Sequence, residues 1–167
     1  IELLIRKYEN GKVSPLLFNL KVGDSLKIRG PFGKFVIRRP LKEESVFIAG
    51  GTGIASMRSM IYEILETSPN KKIILIFGFR YENDFYFKKE FVALAEKNKN
   101  FMLYPCATQP QGNWKYMKGR VTDFIPKILG SPDRKDVYIC GPNEMINDTL
   151  SLLIKRLNFT KEQTITE

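Results

Sequence analysis

From Val46 onward the chain alternates between two hydrophobic patterns. Val46–Ala49, Ile73–Phe77, Phe101–Ala107 and Val137–Cys140 are apolar almost without a break. Runs this short, bounded by turn residues, predict strands buried on both faces. Between and after them, apolar residues recur every three or four positions. Ile54, Met57, Ile61, Ile64 and Leu65 show this most clearly. That spacing predicts helices over roughly Ile54–Thr67, Asp84–Asn98, Thr122–Leu129 and Glu144–Leu157. Ile165-Thr-Glu167 starts a further strand, and Thr108–Gly119, with Trp114 and Tyr116, is a polar loop. Alternation of this kind predicts an α/β fold, a five-stranded, mostly parallel sheet with helices on both faces.

The first 45 residues have another rhythm. Ile1–Tyr8 is strand-like, and Glu9-Asn-Gly-Lys12 is a turn. In Val13–Leu20, Leu16, Leu17 and Leu20 have helical spacing, and Ser14-Pro15 suits an N-cap followed by proline at the first helical position. Leu26–Arg29 and Phe35–Ile37 read as strands around the rigid turn Gly30-Pro-Phe-Gly33. Arg38–Glu44 reads as a linker. The expected organisation is a small β portion over residues 1–40 and an α/β domain over 45–167.

A chain of 167 residues, 43% hydrophobic, can fill one domain core. No apolar run approaches the ~20 residues of a membrane span, and no signal peptide is visible. A cytoplasmic location is therefore the expectation. Because Ile1 opens directly into a strand-like run, the chain also reads as part of a longer protein. Cys106 and Cys140 have the spacing of neither a metal site nor a disulfide framework. Histidine is absent, which excludes an imidazole base. The net charge of +9 favours acidic partners, with ten Lys/Arg against five Asp/Glu in the first 45 residues.

Candidate chemistry gathers where predicted strands end. Val46–Ala49 breaks into Gly50-Gly-Thr-Gly53 and passes at once into a helix. Glycines let a ligand approach the backbone, and the N–H groups and dipole of the following helix make an anion site, with the Thr52 hydroxyl beside it. The G-x-G-x-x-G fingerprint is not met, since Ser56 stands at its third position. A glycine-rich turn that binds nothing has the same pattern. Two further turns, Gly78-Phe-Arg80 and Cys140-Gly-Pro-Asn-Glu-Met145, fall at the same edge of a doubly wound sheet, where ligands bind.

Together these segments resemble the ferredoxin–NADP reductase superfamily, which includes cytochrome b5 reductases and the reductase components of bacterial oxygenases. Gly30-Pro-Phe-Gly33 is similar to its G-P-x-G, and Gly50-Gly-Thr-Gly-Ile54 to its pyridine-nucleotide turn. Cys140-Gly-Pro142 with Met145 is similar to its C-G-P-x-x-M, and Gly11-Lys-Val-Ser14 to its G-x-x-S segment. The resemblance implies a Rossmann-like nucleotide-binding sheet preceded by part of an antiparallel FAD barrel. It implies an oxidoreductase that passes hydride from NAD(P)H to FAD and electrons onward. Cys140 and Thr52 would then stand at the hydride-transfer locus. Gly50, Gly51, Thr52 and Gly53 would hold the pyrophosphate, Arg80 would meet the adenosine half, and Cys140, Gly141, Pro142 and Met145 would form the last turn. Gly11, Lys12, Val13 and Ser14 would serve the FAD phosphates.

Three points of the family pattern are not met within these residues. The R-x-Y-[ST] flavin motif falls upstream of the segment that Ile1 begins, Ser56 stands where many members have proline, and Glu167 comes where many members add a terminal aromatic. Near Thr108-Gln-Pro110 it lacks the arginine of NADPH-preferring members, which leans toward NADH, although Lys115, Tyr116 and Lys118 follow. The resemblance implies an acidic, ferredoxin- or cytochrome-like redox protein or an oxygenase component as partner. A module docking an acidic protein or nucleic acid is an alternative reading. However, no helix carries a dense basic stripe, and aromatic residues are not interleaved with basic ones, so nucleic acid is not expected. A nucleotide binder without redox activity is a third.

Overall fold

The computed structural model describes residues 1–167 and divides into two compact units, Ile1–Lys34 and Phe35–Glu167. The second holds six strands: β1 (Glu44–Gly50), β2 (Lys72–Phe79), β3 (Phe101–Ala107), β4 (Met117–Lys118), β5 (Lys135–Cys140) and β6 (Thr164–Thr166). They form one sheet in the order β4-β3-β2-β1-β5-β6, with every pair parallel. The sixth strand is a correction to the expected five. It is β4, a two-residue piece inside the segment read as a loop, and it pairs Met117 with Cys106 and Lys118 with Ala107. Two residues are too few to carry a hydrophobic period.

The helices are α2 (Ile54–Thr67), α3 (Lys88–Lys97), α4 (Val121–Leu129) and α5 (Asn143–Arg156), after a short α1 (Ser14–Phe18) in the first unit. The expected start of α3 at Asp84 is displaced to Lys88. Glu82–Asp84 forms a separate 3-10 turn, and Phe87 takes a left-handed conformation that breaks the helical path. Side chains alternate across the sheet. Val46, Ile48, Ile74, Ile76, Val137 and Ile139 pack with Val121, Ile125 and Leu129 of α4 and Leu152 and Leu153 of α5. On the other face α2 lies against β1 and β5, and α3 against β3. There Phe47 stacks on Tyr138 at 5.0 Å between centroids. The two ends of the sheet differ in kind. At the strand starts Glu44 pairs with Lys72 and Lys135, each at 3.2 Å, and Glu43 pairs with Lys71 and Arg134. The strand ends are turns rich in glycine.

Residues 1–43 contain no strand, so the strands expected over Ile1–Tyr8, Leu26–Arg29 and Phe35–Ile37 are not formed. An extended segment becomes a strand only by pairing with another. The backbone bonds within the first unit are local, such as Gly11 N–H to Tyr8 O and Asp24 N–H to Lys21 O. In α1 the N-cap is Val13 rather than Ser14, because the Ser14 hydroxyl is committed to Tyr8, whose N–H it accepts at 3.0 Å. No helix is long and apolar enough to cross a membrane.

Candidate functional site

The sheet order places three turns side by side. Gly50, at the end of β1, is in register with Gly78 of β2, and Ala49 is in register with Cys140 of β5. The chain runs outward from β1 through β2, β3 and β4, then crosses to β5 on the other side. The crevice outside β1 and β5 is therefore a topological switch point, where ligands of such sheets bind.

Packing at this edge requires glycine. A Cβ on Gly53 would stand 2.4 Å from the Cys140 carbonyl oxygen, and one on Gly141 would stand 2.9 Å from Gly50 Cα. The first and last turns thus touch backbone to backbone. Met145 Sδ and Pro142 Cδ close over Gly50, leaving 2.6 Å and 2.8 Å for any Cβ there. Gly51 is the opposite case. Its φ is +52° and nothing lies within 4 Å of where its Cβ would be. A side chain there would enter open space in front of the turn.

Directly behind Gly51 the turn Gly51–Gly53 feeds α2. That helix has no side-chain cap at its N-terminus and no acidic residue in its first turn. Ile54 N–H donates to Thr52 O, but no side chain meets the positive dipole end, an electrostatic setting that suits an anion. The open Gly51 cradle and the bare helix start fit the pyrophosphate of a dinucleotide.

Thr52 sits half-buried in that turn. The Cys140 thiol is half-buried beside Gly53 of the turn, with the Glu167 carboxylate 3.9 Å from Sγ. Burial pushes this thiol above its ordinary range. The Ser56 hydroxyl beside it works the other way, and the Glu167 carboxylate raises it further. The thiol therefore stays protonated at neutral pH and presents a small neutral surface. In the sequence Ser56 stands out only as a departure from the glycine fingerprint. Its hydroxyl donates to Gly53 O at 3.0 Å, which ties the helix start to the turn.

Arg80 lies one strand away, past the end of β2. Its Nε donates to Gln109 Oε1 at 3.0 Å and its guanidinium stands over the Tyr81 ring at 5.2 Å. Beyond it is a cavity of about 360 Å³ lined by Glu82, Lys88, Asn113, Trp114, Lys115 and Tyr116, among others. Trp114 is held by its Nε1 donating to Met117 O at 2.9 Å and by edge contact with Phe79. Glu82 and Lys88 escaped the sequence reading. The available signal was an acid just past the second strand, a position that faces a nucleotide ribose in many doubly wound sheets.

In the first unit, Gly11 and Ser14 close a turn on Tyr8, while Lys12 and Val13 are exposed. For FAD phosphates this turn fits in part. Lys12 offers a cation, whereas the Ser14 hydroxyl already accepts from Tyr8 N–H and donates to Tyr8 O.

Comparison with known proteins gives a consistent picture. Residues 47–151 match the family described as Oxidoreductase NAD-binding domain, and residues 1–37 match Oxidoreductase FAD-binding domain. The chain is 35% identical to NADH-cytochrome b5 reductase 1 of Dictyostelium discoideum over 168 residues, covering 99% of this chain and 58% of that protein. It is 32% identical to the reductase component of phenol 2-monooxygenase of Pseudomonas sp. (strain CF600), covering 97% of this chain and 47% of that protein. The chain thus spans about half the length of these curated relatives. The cytochrome b5 reductase domain of Ulva prolifera nitrate reductase superposes with a TM-score of 0.84 at 26% identity, over 94% of this chain and 64% of that one.

Proposed function

Because this chain belongs to the oxidoreductase NAD-binding domain family, within the ferredoxin–NADP reductase superfamily, we propose that it is the nucleotide-binding part of a flavin-dependent NAD(P)H oxidoreductase that delivers electrons to a redox partner. The observation that carries this is the uncapped start of α2 behind the open Gly51 cradle, set beside Cys140 at the switch point. The backbone of Gly50, Gly51 and Gly53 and the first N–H groups of α2 hold the pyrophosphate. Thr52 and Cys140, with Gly141, Pro142 and Met145 behind them, orient the nicotinamide and keep water from the transferring face. A neutral thiol suits this role, since a thiolate would draw solvent and repel a departing hydride. The adenosine half runs along the strand ends toward β2 and β3, each strand spacing being about 4.8 Å, and meets Arg80 and the cavity beyond it.

FAD, when bound, takes up two electrons as hydride and releases them singly. In the first unit Lys12, Val13 and the Gly11–Ser14 turn are the residues that serve its phosphates. The chain's charge of +9 suits an acidic electron-accepting protein, such as a ferredoxin- or cytochrome-like partner or an oxygenase component.

The test is the visible spectrum of the protein with FAD, followed by anaerobic NADH. Bleaching of the flavin band is the expected result. A protein that binds neither FAD nor NADH would overturn the reading. In the flavin-loaded protein, Cys140→Ala and Thr52→Val should each slow flavin reduction on the order of a hundredfold, as expected when a reacting pair is misplaced. Unchanged reduction in both variants would remove those two residues from the site.

A further inference from the structure

One guanidinium joins two helices and takes no part in the reading above. Arg58 stands in the second turn of α2, the helix whose start faces the pyrophosphate. Its Nε donates to Glu90 Oε1 at 2.6 Å and its Nη2 to Glu90 Oε2 at 2.9 Å. Glu90 is the third residue of α3. The same guanidinium stands over the ring of Phe87, the residue just before α3, at 4.8 Å, and over the Tyr62 ring at 5.8 Å. Arg58 thus grips the start of α3 on both sides of Lys88, and Lys88 lines the cavity beyond Arg80.

This grip replaces a cap. Phe87 is left-handed and gives α3 no side-chain cap. A fork of two parallel charge-assisted bonds fixes angle as well as distance. Both partners are mostly shielded, at 31% and 25% side-chain exposure, so salt screens the pair little. The body of α3 has a separate anchor, since Phe91 is fully buried and packs on Phe101. Loss of the pair therefore frees the first turn of α3 without unfolding the helix.

We propose that Arg58 is a positioning residue: through Glu90 and Phe87 it sets the adenosine end of the site, at Lys88, from the helix that receives the pyrophosphate, so that one dinucleotide spans both. The inference rests on the placement of the dinucleotide given above. A ligand that bridges two subsites gains over its halves only when their spacing matches its own length.

The experiment titrates the full chain with adenosine, with inorganic pyrophosphate and with ADP-ribose, which lack nicotinamide and need no flavin. Binding is followed by the fluorescence of Trp114, the chain's single tryptophan, which lines the cavity. Pyrophosphate is read by its displacement of ADP-ribose. The variants are Arg58→Lys, which keeps the charge and loses the fork, Glu90→Gln, which keeps the shape and loses the charge, and the two combined. In each single variant the advantage of ADP-ribose over adenosine should fall about tenfold. The double variant should fall no further, because both changes remove one interaction. Adenosine and pyrophosphate alone should stay within about twofold, since each still meets its own subsite. If ADP-ribose keeps its advantage in both single variants, the role of Arg58 is overturned while the dinucleotide reading stands. If all three ligands weaken by one common factor, the pair only supports the fold and the proposal is equally overturned. If none of the three binds the parent protein, the dinucleotide reading fails and this inference with it.

Discussion

The two units of this chain contain similar hydrophobic side chains and use them differently. In Phe35–Glu167 the apolar residues of β1, β2 and β5 are almost wholly buried, Val46, Phe47, Ile48 and Leu75 at 0% exposure. In Ile1–Lys34 no residue is buried, and Leu3, Leu16, Phe18, Leu26, Ile28 and Phe32 all remain exposed. Apolar composition alone does not make a core. A parallel sheet with crossover helices closes both its backbone hydrogen bonds and its two faces within one continuous stretch. The backbone bonds of the first unit lie in turns and one short helix.

This contrast predicts a large difference in amide exchange. Amides of residues 1–34 should exchange at least about a thousandfold faster than those of β1 and β2, since protection follows buried, cooperative structure. Comparable protection in both units, read by exchange mass spectrometry, would erase the distinction.

A second contrast lies inside the α/β unit, between a glycine demanded by packing and one that leaves room. Gly53→Ala pushes a methyl into the Cys140 carbonyl at 2.4 Å, so the turn must part from β5, with an expected loss of about 2–3 kcal/mol in urea unfolding. Gly51→Ala meets nothing and bears only the left-handed backbone conformation, about 1 kcal/mol. Its methyl fills the cradle, so its AMP and NADH affinities should fall by at least about tenfold while the fold persists. Equal stability losses for the two variants would dissolve the difference between them.

The cysteines repeat the contrast on a smaller scale. Cys106 is fully buried, and burial, helped by the Asp123 carboxylate, pushes its thiol from an ordinary 9.0 to about 12. The folded chain thus holds that proton when the unfolded chain has released it. Its contribution to stability is complete below pH 9 and is lost as pH rises from 9 toward 12. At pH 8 a thiol reagent should modify Cys140 slowly and Cys106 only after unfolding. Rapid reaction of both in the native protein would contradict the burial. A further loss of stability is expected at Tyr138, whose buried hydroxyl accepts Arg38 N–H at 3.0 Å. Tyr138→Phe should cost about 1–2 kcal/mol by leaving that donor unpaired, and an unchanged melting temperature would show that the donor finds another partner.

Much of the α/β unit was legible from the chain itself. α2 begins and ends where its apolar spacing does, at Ile54 and Thr67, and four strands stand where the apolar runs are. Period and run length are local properties, readable because a buried strand and an amphipathic helix each write their environment into consecutive residues. The glycine turn after β1 was legible for the same reason, since a strand that ends in glycine and enters a helix must present helix N–H groups there.

Other features depended on residues far apart in the chain. Which turns meet was decided by the order β2-β1-β5, which brings Gly53 onto Cys140 and Gly50 onto Gly141. The same holds for Ser56 at the turn, and for Glu82, fixed by Gln111 in a cavity it shares with Lys115. In the first unit the apolar runs that read as strands remained unpaired, because strand formation needs hydrogen-bond partners that a run of residues cannot supply to itself. Sequence determined the elements with internal periodicity. Tertiary structure decided the contacts that cross between them, because those depend on the sheet order that brings distant segments together.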